Sequence, residues 1–233
     1  MQEKFLSKSE NKGSFLVIEG SDGCGKATQT ELLVKHLTDL GWQIEKLEFP
    51  RYDNSSSFFI QKYLSGQYGD LEDINPKTAS LFFALDRYDA KEQINQALND
   101  GKIIISDRFV ASNLAHQGAK IEDLNQRTEF FQWIYALEFD ILHIPRPDLN
   151  LILNIPTEIS QKLLKQQIER RSLDIHEENL NQQIQSRQIY HQLCQDFSDQ
   201  FIEINCLNHN QQLLSIEQIQ SQIQSIVNFH LKS

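Results

Sequence analysis

The sequence predicts an α/β fold, a doubly wound five-stranded parallel sheet flanked by helices. Three observations carry that prediction. Short runs such as Ile103-Ile104-Ile105 and Leu151-Ile152-Leu153 are apolar at every position, as strands buried on both faces require. Segments with helical spacing alternate with these strands along the chain, which gives crossover connections and parallel neighbours. A glycine-rich turn, Gly20-Ser21-Asp22-Gly23-Cys24-Gly25-Lys26-Ala27-Thr28, joins an apolar strand to an amphipathic helix, at the end of the sheet where such folds gather their ligands.

In chain order, Phe15-Leu16-Val17-Ile18 predicts a strand at 14–19, and Leu32, Leu33, His36, Leu37 and Leu40 predict a helix at 26–40. A strand at 43–49 follows, then helices within 56–66 and 77–99, a strand at 102–106, and helices at 110–118 and 122–139. Pro145 and Pro147 break the chain before a strand at 149–155. Helices at 157–169 and 177–197, a strand at 200–205 and a helix near 213–230 complete the pattern. That last helix rests on Leu213, Leu214, Ile216, Ile219 and Ile223, and the glutamines around them coat a solvated face. With no internal repeat, and with Ser55-Ser56-Ser57 too short for a linker, residues 1–233 are expected to form one domain.

Composition narrows the function. A chain of 233 residues is large enough to bury its own core. A net charge of −10 argues against a broad basic surface for nucleic acid, whereas a small phosphorylated ligand needs only a local cluster of cations. Cys24, Cys194 and Cys206 fit neither a metal-ligand spacing nor a disulfide framework, which points to a reducing compartment. Residues 1–12 lack an apolar signal core, and no apolar run approaches the roughly 20 residues of a membrane span. The expectation is a cytoplasmic protein without membrane contact.

The glycine-rich turn is a phosphate-binding loop by its residue types. Glycines let successive N–H groups face phosphate oxygens, the helix N-terminus adds partial positive charge, and Lys26 reaches the β and γ phosphates. The residue after the lysine is Ala27, so no hydroxyl stands in the usual magnesium-binding position. Thr28 is rotated by about 100° from it, and magnesium, which keeps several waters, fits a water-filled ligand position there. Within the loop Cys24 reads as packing, not as a catalytic thiol. Arg51, after Phe49-Pro50 at a strand end, is a candidate phosphate partner. Phe83 and Arg87, four residues apart on one helix face, suit a nucleobase and its phosphate, although a core ring below a surface arginine has the same spacing. Asp107, straight after the strand at 102–106, stands where an acidic group orients a metal and its waters, and Arg108 beside it suits a transferred phosphoryl group.

Four segments in consistent order carry a resemblance: Glu19 to Lys26, Phe49-Pro50, Phe83 to Arg87, and Asp107-Arg108-Phe109-Val110-Ala111-Ser112-Asn113-Leu114-Ala115-His116-Gln117-Gly118. From about residue 13 to 205 the chain resembles the thymidylate kinases, of the nucleoside monophosphate kinase class. The resemblance implies a P-loop kinase fold with a lid at about 165–178, and transfer of the γ-phosphoryl group of ATP to dTMP in dTTP synthesis, with Mg2+ and as a homodimer. It places Phe83 on the thymine ring, Arg87 on base or monophosphate, and Arg108 on the phosphates near the transfer point. It puts Asp22 before the acceptor's sugar and phosphate, and Phe49, Pro50, Arg51, Ser112, Asn113 and Gln117 around dTMP. Where the family carries an aromatic ring against ribonucleotides this chain has His116. Where some members place a P-loop arginine it has Gly23, so the catalytic cation is expected from Arg170 and Arg171 in the lid, with Lys165 behind them. Two alternatives accompany this reading: a kinase for another nucleotide such as dUMP, and an inactive nucleotide-binding regulator.

Overall fold

The computed structural model of the chain describes residues 13–171 and 180–232, with side chains described up to Gln166 in the first span. The predicted lid at 165–178 falls mostly beyond this, and the side chains of Arg170 and Arg171 lie outside the described residues. Five strands, β1 (Ser14–Glu19), β2 (Ile44–Glu48), β3 (Ile103–Asp107), β4 (Leu149–Asn154) and β5 (Phe201–Asn205), form one sheet in the order β2-β3-β1-β4-β5. Every neighbouring pair is parallel, with Leu16 opposite both Ile105 and Leu149.

Uninterrupted apolar strands mean that both faces of this sheet are buried. From β1, Phe15 and Val17 enter one core with Ile104 of β3 and Ile152 of β4. Leu16 and Ile18 enter the other with Ile103, Ile105, Leu151 and Leu153. Helices α5 (Val110–Gly118), α6 (Leu124–Tyr135) and α8 (Leu180–Asp196) cover the first face through Leu114, Phe130, Ile134 and Ile189. Helices α1 (Lys26–Asp39) and α9 (Ile216–His230) cover the second through Leu33, Leu37, Ile219 and Val227. Each such side chain contributes about 1.5–3 kcal/mol on full burial, so the two layers hold the C-terminal ends of the strands in a fixed frame.

Four expected helical segments are divided or shortened. The 56–66 segment is a 3-10 turn, Ser55–Ser57, followed by α2 (Phe58–Leu64). The 77–99 segment is two helices, α3 (Pro76–Asp89) and α4 (Lys91–Asn99), meeting at Ala90. The 122–139 helix ends as α6 at Tyr135 and widens into a π-helical turn, Ala136–Ile141. The last helix begins at Ile216 rather than 213, because Ser215 and Gln218 form a reciprocal capping box there. Leu213 instead bridges Leu207 and packs on the second core. Helix α7 (Thr157–Arg171) completes the described set, in which no helix is long and apolar enough to cross a membrane.

Candidate active site

At the C-terminal end of β1 the chain turns through Gly20 to Gly25 and enters α1 with Gly25 as N-cap, φ 90°. Lys26 is buried under the loop, its Nζ donating to the carbonyls of Gly20 at 3.0 Å and Ser21 at 2.9 Å. Cys24 is 3 % exposed, and burial pushes its thiol up against the opposing pull of Lys26 and Arg108. A thiol held protonated is no nucleophile, which agrees with reading it as packing. Gly23 has φ 77°, and a Cβ there would lie 2.3 Å from the Ser160 carbonyl oxygen and 3.0 Å from Leu164 Cβ. The first turns of α7 therefore rest directly on the loop, and no side chain, arginine included, fits between them. Gly23→Ala is expected to cost about 1–3 kcal/mol as an overpacked, positive-φ site, and to raise KM for a nucleotide bound along the loop more than KM for a second substrate. Thermal melting and steady-state kinetics check both.

Beside the loop, Asp22 and Arg108 form an ion pair across 86 residues of sequence. Burial works to raise the Asp22 carboxyl, but Arg108 and then Lys26, 4.0 Å away, more than offset it, so the group is held well below the usual carboxylate range. Arg108 has φ 66°, a left-handed conformation that costs a non-glycine residue about 1–3 kcal/mol unless its surroundings impose it. They do: its N–H donates to Ile18 O at 2.9 Å and its carbonyl accepts from Ser106 Oγ at 2.7 Å. The start of α5 is tied to β1 by Glu19, fully buried, whose carboxylate accepts from the Phe109 N–H at 2.7 Å, Ser112 Oγ at 2.7 Å and Tyr190 Oη at 2.9 Å. One carboxylate thus sets the spacing between the phosphate loop, Arg108 and α5.

Arg108 and Asp22 stand on the wall of a cavity of about 790 Å³, within the roughly 300–1,000 Å³ usual for small-molecule sites. The chain beyond β2 adds Phe49 and Pro50 to that wall, and α3 adds Phe83 and Arg87. Helix α5 contributes Ser112, Asn113, His116 and Gln117. Ten of the residues expected around the acceptor therefore surround one space. Arg51 does not: its guanidinium is tied to Asp86 Oδ1 at 3.1 Å, Asp89 Oδ2 at 2.6 Å and Ser56 Oγ at 2.9 Å. Of the expected metal site, Asp107 is 6 % exposed at the end of β3, opposite Ile18, while Thr28 is exposed in the first turn of α1. Burial raises the Asp107 carboxyl, with Lys26 the first group opposing that rise.

Sequence reasoning missed several members of the wall, and a buried residue behind it. Glu138 is fully buried and accepts from Arg87 Nε at 2.9 Å, from Arg87 Nη2 and from Asn113 Nδ2 at 3.3 Å. An acidic residue inside the apolar stretch Ile134 to Phe139 was its only signal. Tyr63 stands edge-on to Phe83 at 6.1 Å and accepts from Lys120 Nζ at 2.8 Å. Lys120 also donates to Leu71 O at 2.6 Å, which ties the loop after α2 to the end of α5. Asp86, the partner of Arg51, was visible only as part of a helical stretch.

Among the described residues this arrangement offers no nucleophile poised for a covalent intermediate. It offers two adjoining places for anions with a guanidinium on their boundary, the apparatus with which a P-loop kinase moves a phosphoryl group between bound nucleotides. The family profile described as thymidylate kinase matches residues 18–223. A probable thymidylate kinase of Pyrococcus horikoshii is 31% identical over 221 residues, covering 94% of this chain and 98% of its own. The thymidylate kinase of Mycobacterium tuberculosis is 32% identical over 182 residues, 76% of this chain and 84% of its own. A solved structure of thymidylate kinase from Candida albicans superposes with a TM-score of 0.69 at 21% identity, over 96% of this chain and 95% of that one. The chain belongs to the thymidylate kinase family. It is an enzyme that uses ATP to phosphorylate dTMP to dTDP, which sets aside the inactive regulator.

Proposed function

We propose that dTMP occupies the 790 Å³ cavity and that ATP lies along the glycine-rich loop, the γ-phosphoryl group passing between them in front of Arg108. The observation that carries this reading is the Asp22–Arg108 pair, which places a cation where loop and cavity meet. Phe83 stacks on the base, held edge-on by Tyr63. Arg87 and Asn113 approach the base or monophosphate from α3 and α5. Gln117 adds an acceptor, since its buried Oε1 has no hydrogen-bond partner among the described residues. Arg51 acts at one remove, through Asp86 on the cavity wall.

The loop N–H groups from Gly20 to Thr28 and the amine of Lys26 hold the phosphates of ATP, and Lys26 exchanges its loop carbonyls for phosphate oxygens when ATP arrives. Arg108, with Arg170 and Arg171 from the lid at 165–178, neutralises charge that develops on the transferred group. Residue types near Asp107 fit magnesium. One hard carboxylate, acting through water, suits a cation that takes few protein ligands and keeps its waters. When bound, the metal supplies charge neutralisation between the β and γ phosphates. Asp107 and Thr28 would hold it, and Ala27 leaves a ligand position to water.

The chain works as one domain, in the cytoplasm and as a homodimer. Three free cysteines support the compartment. Leu81, Leu85 and Tyr88 support the dimer: they lie at i, i+4 and i+7 on α3 and are 38%, 44% and 48% exposed, an apolar stripe suited to a second copy. Leu85→Glu is expected to halve the mass seen by light scattering, and a native mass of one chain in the unaltered protein overturns the dimer.

ADP formation with ATP and magnesium, comparing dTMP, dUMP, UMP and thymidine as acceptors, tests the acceptor assignment. Preference for dTMP by at least about 1 kcal/mol over dUMP, the worth of a methyl group in an apolar pocket, is expected. Equal turnover of dUMP moves the specificity to a broader pyrimidine site.

A further inference from the structure

We propose that His116 is a positioning residue for the phosphoryl acceptor: as a neutral imidazole it accepts a hydrogen bond from Arg108 and keeps that guanidinium turned toward Asp22 and the cavity. The proposal rests on the reading of Arg108 as the cation that serves the acceptor phosphate.

Arg108 Nη1 lies 3.0 Å from His116 Nε2 and 3.1 Å from Ser112 Oγ, while Nη2 pairs with Asp22. A guanidinium only donates, so Nε2 must present its lone pair and the ring proton must sit on Nδ1. Helix α5 makes the contact possible: Ser112 and His116 are one turn apart on the same face, and both look back at Arg108 just before the helix. Ser112 Oγ accepts from the same nitrogen while donating its own proton to Glu19 Oε2 at 2.7 Å, so it and His116 hold the guanidinium from two successive turns of the helix. His116 is steadied in turn. The Tyr190 ring meets it edge-on at 6.2 Å and Gln182 Nε2 donates to its carbonyl at 3.4 Å.

Arg108 itself is a long side chain with four rotatable bonds, and in its left-handed backbone setting the head group is aimed only by what it touches. Protonation of the imidazole would put an N–H where the lone pair now is and set two cations 3.0 Å apart. Among the described residues, the charged and titratable groups facing the ring include Arg108 from the end of β3, Asp22 from the phosphate loop and Tyr190 from α8, with Glu19 of β1 behind Ser112.

The test compares the unaltered enzyme with His116→Phe, His116→Gln and Arg108→Ala, measuring KM for dTMP and for ATP and the pH profile of kcat/KM from 5.5 to 8. His116→Phe keeps the ring and loses the acceptor. It should raise KM for dTMP about tenfold, the worth of one hydrogen bond to a charged group, and leave KM for ATP within about twofold. His116→Gln keeps an acceptor oxygen and should recover most of that loss. The second proton of the dTMP phosphate, with a pKa of about 6, lowers activity in acid equally for both proteins. The ratio of unaltered to His116→Gln activity should therefore fall as pH drops, because an imidazolium cannot accept from Arg108 whereas an amide oxygen still can. An unchanged KM for dTMP in His116→Phe, a His116→Gln as impaired as His116→Phe, or a ratio flat with pH overturns the proposal. If His116→Phe does not fold, the pH ratio decides alone. An Arg108→Ala enzyme with unaltered KM and kcat for dTMP overturns the reading of Arg108 and this inference together, whereas impairment there with silent His116 variants overturns the inference only.

Discussion

Arg108→Ala should lower kcat/KM for dTMP by about 10²–10³, the usual cost of removing one preorganised group that stabilises developing charge. The loss should be shared between KM for dTMP and kcat, because Arg108 stands at the boundary between phosphate loop and cavity, where it meets the acceptor phosphate and where charge accumulates during transfer. Its side chain is 16% exposed, so the cation acts in a site with little water to screen it. The substitution also leaves Asp22 facing Lys26 alone, 4.0 Å away. A second loss follows, since Lys26 is then drawn to Asp22 and away from the phosphates. Arg108→Lys should recover only part of the rate, because an ammonium restores the charge but cannot reach Asp22, Ser112 and His116 together. Steady-state kinetics with ATP and dTMP at pH 7.5 decide the matter. A fall in kcat/KM of less than threefold for Arg108→Ala would remove it from the transfer step.

Glu138→Gln, together with Arg87→Ala, should be the most destabilising of the single substitutions considered. Arg87 and Glu138 are 2% and 0% exposed and bonded through two nitrogens to two oxygens. Replacing one partner strands the other's charge in the interior, which costs about 3–5 kcal/mol. At about 2–4 °C per kcal/mol for a chain of this size, the melting temperature should fall by roughly 6–20 °C. Arg87→Ala should cost as much and also abolish tight dTMP binding, because Arg87 lines the cavity. Calorimetry with and without dTMP separates the two effects. Glu138→Gln should keep part of the stabilisation by dTMP, and Arg87→Ala should lose nearly all of it. A melting temperature within 2 °C of the unaltered protein for Glu138→Gln would mean that Arg87 finds other partners on folding.

Much of this site was legible in the residues because phosphate recognition is local. Gly23, Gly25 and Lys26 sit within a few positions of one another, and the strand before them and the helix after them have their own periodic signals. The α5 face was legible only through the family resemblance, which placed Ser112, Asn113, His116 and Gln117 at the acceptor; the helix then sets them onto one wall. The π-helical turn at Ala136–Ile141 was not, because an ordinary helix and a widened one share the same residue preferences over so short a span. That turn carries Glu138, so the partner of Arg87 was hidden along with it.

The sequence by itself determined the order of strands and helices, the double burial of the sheet and the place of the phosphate loop, since each depends on residues close together in the chain. It also marked the arginines that carry positive charge. Only the tertiary structure decided what those arginines do. Arg87 meets Glu138 from 51 residues away, Arg51 meets Asp86 from 35 and Arg108 meets Asp22 from 86. The reason is physical: a buried charge must be paired, but its partner needs only to be near in space. Two of these cations thus line the cavity and the third is turned aside, a choice made by packing and not by any spacing in the chain.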